Sequence, residues 1–325
     1  MSMMNKIKQF SLAYVPGMKV VRDLRNKIRY ANKLETRLSL LENYLLPTFT
    51  AQLLQKLAPF ESPSVPLIRV GSKGDGGYVM SDIFDKVDAA YSFGIANDVK
   101  WDKEIAERGI PVFMYDHTIE KLPEEHPNFH FFKTGICGKP LIKNMKDIGT
   151  LIRENKHQGK NLLLKMDIEG FEYPAIHALE DEEIIQFTQI SMEIHDLQNL
   201  LFDSQKHFLI CQCLEKILKH MHCVHIHANN VGWVAERNGI EVPVLLELSF
   251  TRKDIAEDFK RTNTLRTDLD APNNPDNPEI NVHNLWRQHY AKSLTRRKSL
   301  PATRGVPRER RATSRAPSSL IASPI

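Results

Sequence analysis

Between Leu67 and Phe250, short apolar runs alternate with longer segments in which apolar residues recur every three or four positions. The short runs, at 89–93, 111–115, 129–134, 161–166, 189–194, 223–228 and 244–250, read as strands. Helical periodicity fits 100–108, 142–156, 174–179 and 205–220 between them. Such β-α alternation predicts an α/β fold, a doubly wound sheet with right-handed crossovers. The last two runs are joined through Asn238-Gly239, which predicts an antiparallel pair at one edge.

Ahead of this region, Leu24, Ile28, Ala31, Leu34, Leu38, Leu41 and Leu45 alternate steps of three and four. The pattern predicts an amphipathic helix from about 20 to 57, interrupted near Pro47, with a basic polar face at Arg22, Arg25, Lys27, Arg29, Lys33 and Arg37. Such a helix packs on the main domain or a partner subunit, or forms a membrane-surface or coiled-coil element. Residues 270–282 are rich in Pro and Asn and predict a loop. After about residue 291 the chain is rich in Arg, Ser and Pro, the composition of a disordered tail. The expected organisation is a helical extension over 1–60, a domain over 61–290 and a basic tail over 291–325.

Charge is divided unevenly. The net +4 of the 325 residues resolves into +7 over 1–40, +8 over 291–325 and −11 over the middle. An acidic core argues against an enzyme of nucleic acids, while the basic ends suit an anionic surface. Cys137, Cys211, Cys213 and Cys223 fit neither a zinc spacing nor a disulfide framework. No apolar run is long enough to span a bilayer, and no secretory signal follows Lys6 and Lys8, so a cytoplasmic location is expected.

Candidate chemistry lies where predicted strands end. The run 162–164 stops in Asp167, Glu169 and Glu172 around Gly170, as buried parallel strands do when they deliver acids to the carboxyl edge of a sheet. On the next strand Glu193 and His195 share a face by period two; carboxylate plus imidazole suits a divalent metal or a general base, or His195 is structural. The loop Ser92-Phe93-Gly94-Ile95-Ala96-Asn97-Asp98 is a plain turn or one that lets a ligand approach backbone N–H groups. Asp116 follows as a ribose-diol acceptor or a helix cap. His225, His227, Asn229, Asn230 and Trp233 are ligands, substrate contacts or surface residues. The turn Gly71-Ser72-Lys73-Gly74-Asp75-Gly76-Gly77-Tyr78 lacks a phosphate-loop ending and reads as a tight turn or a flap.

Leu164-Lys165-Met166-Asp167-Ile168-Glu169-Gly170-Phe171-Glu172 is similar to the K-[IM]-D-[VI]-E-G-x-E signature of the FkbM-type class I S-adenosylmethionine-dependent methyltransferases. Met192-Glu193-Ile194-His195 resembles the E-x-H ending of that family's next strand. The resemblance covers about 67–250. It implies a mostly parallel, Rossmann-like seven-stranded sheet with the last strand antiparallel, and cofactor contacts at Gly94, Ala96 and Asp116. The family's first motif reads like D-x-G-A-N-x-G; here Ser92 stands at the acid and Asp98 at the final Gly, so Asp98 is a candidate replacement acid. The expected activity is O-methylation of a hydroxyl of a sugar or other small metabolite. The expected catalytic residues are His195 as base with Asp167 and Glu193, and Asp167, Glu169, Glu193 and His195 form a candidate Mg²⁺ site. A metal-dependent hydrolase using the same residues, or a non-catalytic module of a polysaccharide-assembly complex, are the competing expectations.

Overall fold

The computed structural model describes residues 16–138, 144–262, 265 and 267–282. The chain opens with helix α1 (Pro16–Lys56), then β1 (Phe60–Glu61) and a hairpin of β2 (Leu67–Gly71) and β3 (Gly77–Ser81). Strand β4 (Ala89–Phe93) leads through α2 (Lys100–Glu107) to β5 (Val112–Tyr115) and on to β6 (Phe129–Phe132). Two short parallel strands, β7 (Gly135–Ile136) and β8 (Met145–Lys146), and α3 (Ile148–Glu154) precede β9 (Leu162–Met166). Helices α4 (Glu172–Ala178) and α5 (Asp181–Ile184) lead to β10 (Phe187–Ile194), and α6 (Asn199–Phe202) and α7 (Ser204–His220) to β11 (Met221–Ala228). A hairpin of β12 (Val234–Arg237) and β13 (Ile240–Pro243) precedes β14 (Leu246–Arg252) and β15 (Lys260–Arg261), which pairs with β1.

Seven strands form one mixed sheet in the order β6–β5–β4–β9–β10–β14–β11. The ladders from β6 to β10 are parallel, and β14 runs antiparallel to both β10 and β11. Period-two alternation sorts the strand residues between two faces. Tyr91, Phe93, Leu162, Leu164, Met166, Ile190, Met192, Leu248 and Phe250 fall in one large apolar core with residues of α3, α4 and α7. On the opposite face Ala90, Val112, Met114 and Leu163 meet Trp101 and Ile105 of α2 and Val70, Tyr78 and Met80 of the β2–β3 hairpin. That second face turns polar toward β11: Gln189, Ser191, Glu193, Glu247, Ser249, Thr251, His225 and His227 are all buried. A buried polar layer of this kind must be internally hydrogen-bonded, and Ser191–Ser249 and Ser81–Thr251 contacts begin to satisfy it.

Three expectations need correction. Strands β11 and β14 form the expected antiparallel pair at one edge, but Asn238-Gly239 closes the separate β12–β13 hairpin within their connection instead of joining them directly. The α1 helix runs through Pro47 without a break. Proline removes the N–H that would bond the carbonyl four residues back, and Asn238 Nδ2 donates to that carbonyl, Asn43 O, in its place. The helix expected over 142–156 begins at Ile148, where Asp147 caps it by accepting from Thr150 N at 2.8 Å. No helix among the described residues is long and apolar enough to cross a membrane. The tail expected over 291–325 lies outside the described residues.

Candidate active site

In open α/β sheets ligands bind beyond the carboxyl ends of strands where the strand order reverses; here that point lies between β4 and β9. The loop after β4 is pressed against the loop after β9. A Cβ on Gly94 would sit 1.6 Å from the Asp167 carbonyl oxygen, and Gly94 has φ +78°, so only glycine fits. Asp116, at the end of β5, holds this loop. Its Oδ2 accepts from Ile95 N (2.8 Å) and Ala96 N (3.0 Å), and its Oδ1 from Thr118 N (2.7 Å) and Thr118 Oγ1 (2.6 Å). Four bonds fill a carboxylate's acceptor capacity. Burial alone would raise its pKa; the bonds from Thr118, Ala96 and Ile95 hold it below the usual range. The Ile95 and Ala96 amides, expected to face a ligand, are spent on this carboxylate. Asp98 accepts from Ser72 Oγ (2.6 Å) and Lys100 N (2.8 Å), tying the glycine-rich turn to the same loop.

The turn after β9 is built around Glu172, which is fully buried. Its carboxylate accepts from Ile168 N (3.0 Å), Gly170 N (3.0 Å) and His195 Nδ1 (3.0 Å). Tyr173 OH donates to the His195 carbonyl at 2.6 Å. With Nδ1 fixed, His195 Nε2 faces Glu169 Oε2 at 3.4 Å, Asp167 Oδ1 at 3.8 Å and Glu193 Oε1 at 4.0 Å. Three loop residues that are not glycine take left-handed conformations here: Ala96 (φ +48°), Glu169 (φ +56°) and Asp196 (φ +56°), one after each of β4, β9 and β10. Such strain persists only where surrounding contacts impose it, and it concentrates at working sites.

Crowded acids reshape the protonation states. Burial raises Asp167 to about 6 against the opposing pull of Lys165 and His195, with Glu169 and Glu172 adding to the rise. Glu193 rises further, through burial and then the charges of Asp167 and Glu247. Burial would lower His195, but the Glu172 bond and the surrounding carboxylates carry it up to about 9. Near neutral pH the ligand-free site therefore holds an imidazolium ringed by carboxyl groups.

The predicted metal set divides between two groups. Asp167, Glu172 and His195 place ligand atoms within 4.8 Å of one another, whereas Glu193 groups with Asp75 and Glu247. Glu169 is 86% exposed and reaches the first group only through His195. The segment 270–282 straps this end of the sheet. His225 Nε2 contacts Asp270 (2.7 Å), and Asn273 Nδ2 donates to Glu247 (2.6 Å) and Asp75 (3.1 Å). Asn230 Nδ2 donates to the carbonyls of Asn274 (2.8 Å) and Asn277 (3.0 Å). His227 bridges Glu247 (3.0 Å) and Glu279 (3.3 Å), and Asn229 donates to Glu193 (3.0 Å). The His225–Asn230 cluster thus anchors a strap, and Trp233 stays exposed beside it.

Ser92 points to the second sheet face and is fully buried, as is Asp102 of α2. Ser92 lies close enough to pull the Asp102 pKa down, yet neither side chain completes a hydrogen bond. Burial dominates, so Asp102 lies above its ordinary value despite Lys165. Lys165 Nζ donates to the Gly94 carbonyl at 2.6 Å. Residue patterns did not single out Asp102, Lys165 or the orienting role of Glu172. A lysine within the apolar 162–166 strand was the available signal for one of them; Asp102 sits on an ordinary amphipathic helix and gave none. No family model matches this chain, and no curated protein matches it.

Proposed function

We propose that this protein is an S-adenosylmethionine-dependent O-methyltransferase that acts on a hydroxyl of a sugar or other small metabolite with help from a divalent cation such as Mg²⁺. The observation that carries this reading is the meeting of the β4, β9 and β10 loops at one point, with His195 fixed by Glu172 and faced by Asp167, Glu169 and Glu193. The sheet supports it. Numbered along the chain, its strands run 3-2-1-4-5-7-6. Without the antiparallel seventh this is the doubly wound, Rossmann-like order whose crevice lies between strands 1 and 4. The similarity of 164–172 and 192–195 to FkbM-type methyltransferases points the same way.

Asp98, Asp116 and Asp167 make the crevice edge acidic, which suits a cofactor carrying a sulfonium and an ammonium. Gly94, Ala96 and Asp116 would hold it, with Asp116 exchanging the Thr118 hydroxyl for a ribose hydroxyl. The cofactor supplies an electrophilic methyl group; the protein's task is to align and deprotonate the acceptor. His195 as imidazolium cannot take that proton. In the absence of a cation, Asp167, with a pKa near 6, is matched to it near neutral pH. A divalent cation held by Asp167, Glu169 and the Nε2 of His195 would displace the imidazolium proton and acidify a bound hydroxyl. Glu193 and Asn229 border the same space.

Calorimetry with S-adenosylmethionine, with and without Mg²⁺, tests the proposal, followed by mass detection of a methyl gain across sugars and nucleotide-sugars. Binding that Asp116→Ala weakens is expected; no heat at millimolar cofactor sinks it. The saturation of Asp116 by protein donors favours one second reading, a metal-dependent hydrolase. That reading requires metal affinity with no affinity for S-adenosylmethionine.

A further inference from the structure

Helix α1 carries an apolar stripe that the sheet domain does not cover. Leu24, Ile28, Leu34, Leu38 and Leu45 are each 43–56% exposed. Isolated exposed leucines need no account, but a continuous stripe of this size marks an interface. In the sequence, Leu24, Ala31, Leu38 and Leu45 recur every seven residues, and Lys27, Leu34, Leu41 and Thr48 follow three positions later. A strict seven-residue repeat is the signature of a left-handed coiled coil, with these as its a and d positions. The stripe continues into an apolar cavity of about 550 Å³ between α1 and α7, whose lining includes Leu38, Leu45, Phe49 and Phe208.

We propose that a second copy of this chain covers the stripe, forming a parallel two-stranded coiled coil over about three heptads, roughly 33 Å. Charge selects the occupant and its direction. In a parallel pair, position g of one helix faces the following e position of the other. Arg37 at g then meets Glu42 of the second copy at e, twice by symmetry, and no ion pair among the described residues uses either side chain within one chain. An antiparallel pair would bring the e positions, which include Glu35 and Glu42, onto one another. Arg25, Arg29 and Lys33 occupy the outer b, f and c positions, so the basic charge stays in solvent. That placement also argues against a helix lying on an anionic membrane, because these cations project from the side opposite the stripe. Lys27 is the one polar residue at a seam position between Leu24 and Leu45, a device that fixes register at some cost in stability.

The test uses the full chain. Sedimentation equilibrium should give twice the chain mass. Leu34→Glu with Leu38→Glu should give the single-chain mass while near-ultraviolet circular dichroism of the sheet domain is retained. Arg37→Glu should weaken the dimer at least tenfold, and adding Glu42→Arg should restore it. Leu38→Cys should cross-link to a double-mass species under mild oxidation, as a parallel in-register pair requires. A single-chain mass at high micromolar concentration overturns the proposal, as does a dimer that survives the double Leu substitution or fails to cross-link at position 38. A monomer that sediments with phosphatidylserine-containing vesicles would assign the stripe to a membrane instead.

Discussion

Glu172→Gln isolates the residue on which the candidate site is built. The wild-type carboxylate receives two backbone amides and His195 Nδ1. Glutamine keeps one acceptor oxygen for the amides but turns an NH₂ group or an uncharged oxygen toward the imidazolium. The charge-assisted bond it loses is worth about 1.5–3 kcal/mol. Glu172→Ala removes every acceptor, leaves two amides unsatisfied at about 1–3 kcal/mol each and strips the buried cation of its nearest anion. The alanine variant should therefore lose roughly 3–9 kcal/mol in total. The pH dependence has a defined sign. His195 is raised from 6.5 to about 9 in the folded protein. The stability this gives is fully present below about pH 6.5 and is lost as pH rises through 9. The difference between wild type and Glu172→Gln should thus be largest near pH 6 and shrink toward pH 10. Urea denaturation at pH 6, 8 and 10, with His195 titrated by NMR, measures both quantities. An unchanged His195 titration, or a Glu172→Ala cost below 1 kcal/mol, would refute the reasoning.

Gly94→Ala should cost at least about 2 kcal/mol, since its Cβ meets the Asp167 carbonyl and its φ is left-handed; a melting temperature equal to wild type contradicts that packing. Asp102→Asn should gain stability relative to wild type as pH rises from 4 to 8, because a buried carboxyl with a raised pKa loses folded-state stability as it ionises. The opposite trend in urea titrations would mean that an ion pair with Lys165 dominates. Asn230→Ala removes the donor and acceptor that hold Asn274 and Asn277. Limited proteolysis within 270–282 should then quicken about tenfold, while unchanged cleavage would show the strap to be held by its other contacts, from His225, His227 and Asn273.

How much was legible follows the range of each interaction. Strands β4, β9 and β10 could be read to within two residues at either end, because an apolar run bounded by polar turns admits few other conformations. The sequence also brought Asp167, Glu169, Glu193 and His195 to one sheet edge, since period two and strand direction alone place them there. The same local rules failed at Pro47, whose orphaned Asn43 carbonyl is satisfied by Asn238, almost two hundred residues away. They failed again at Asn238-Gly239, where a strong turn signal closed a hairpin of its own.

By itself, then, the sequence determined the run of elements, the acidic core between basic ends and the strand-end residues from which a site could be assembled. Only the tertiary structure decided what those residues are free to do. Two of the four bonds that saturate Asp116 come from amides of a loop twenty residues earlier, Glu172 rather than a predicted partner orients His195, and Glu193 belongs with Asp75 and Glu247 under a strap. The physical reason is that a carboxylate's chemistry depends on which donors and charges surround it in space. Those neighbours come from elements whose separation along the chain carries no local pattern.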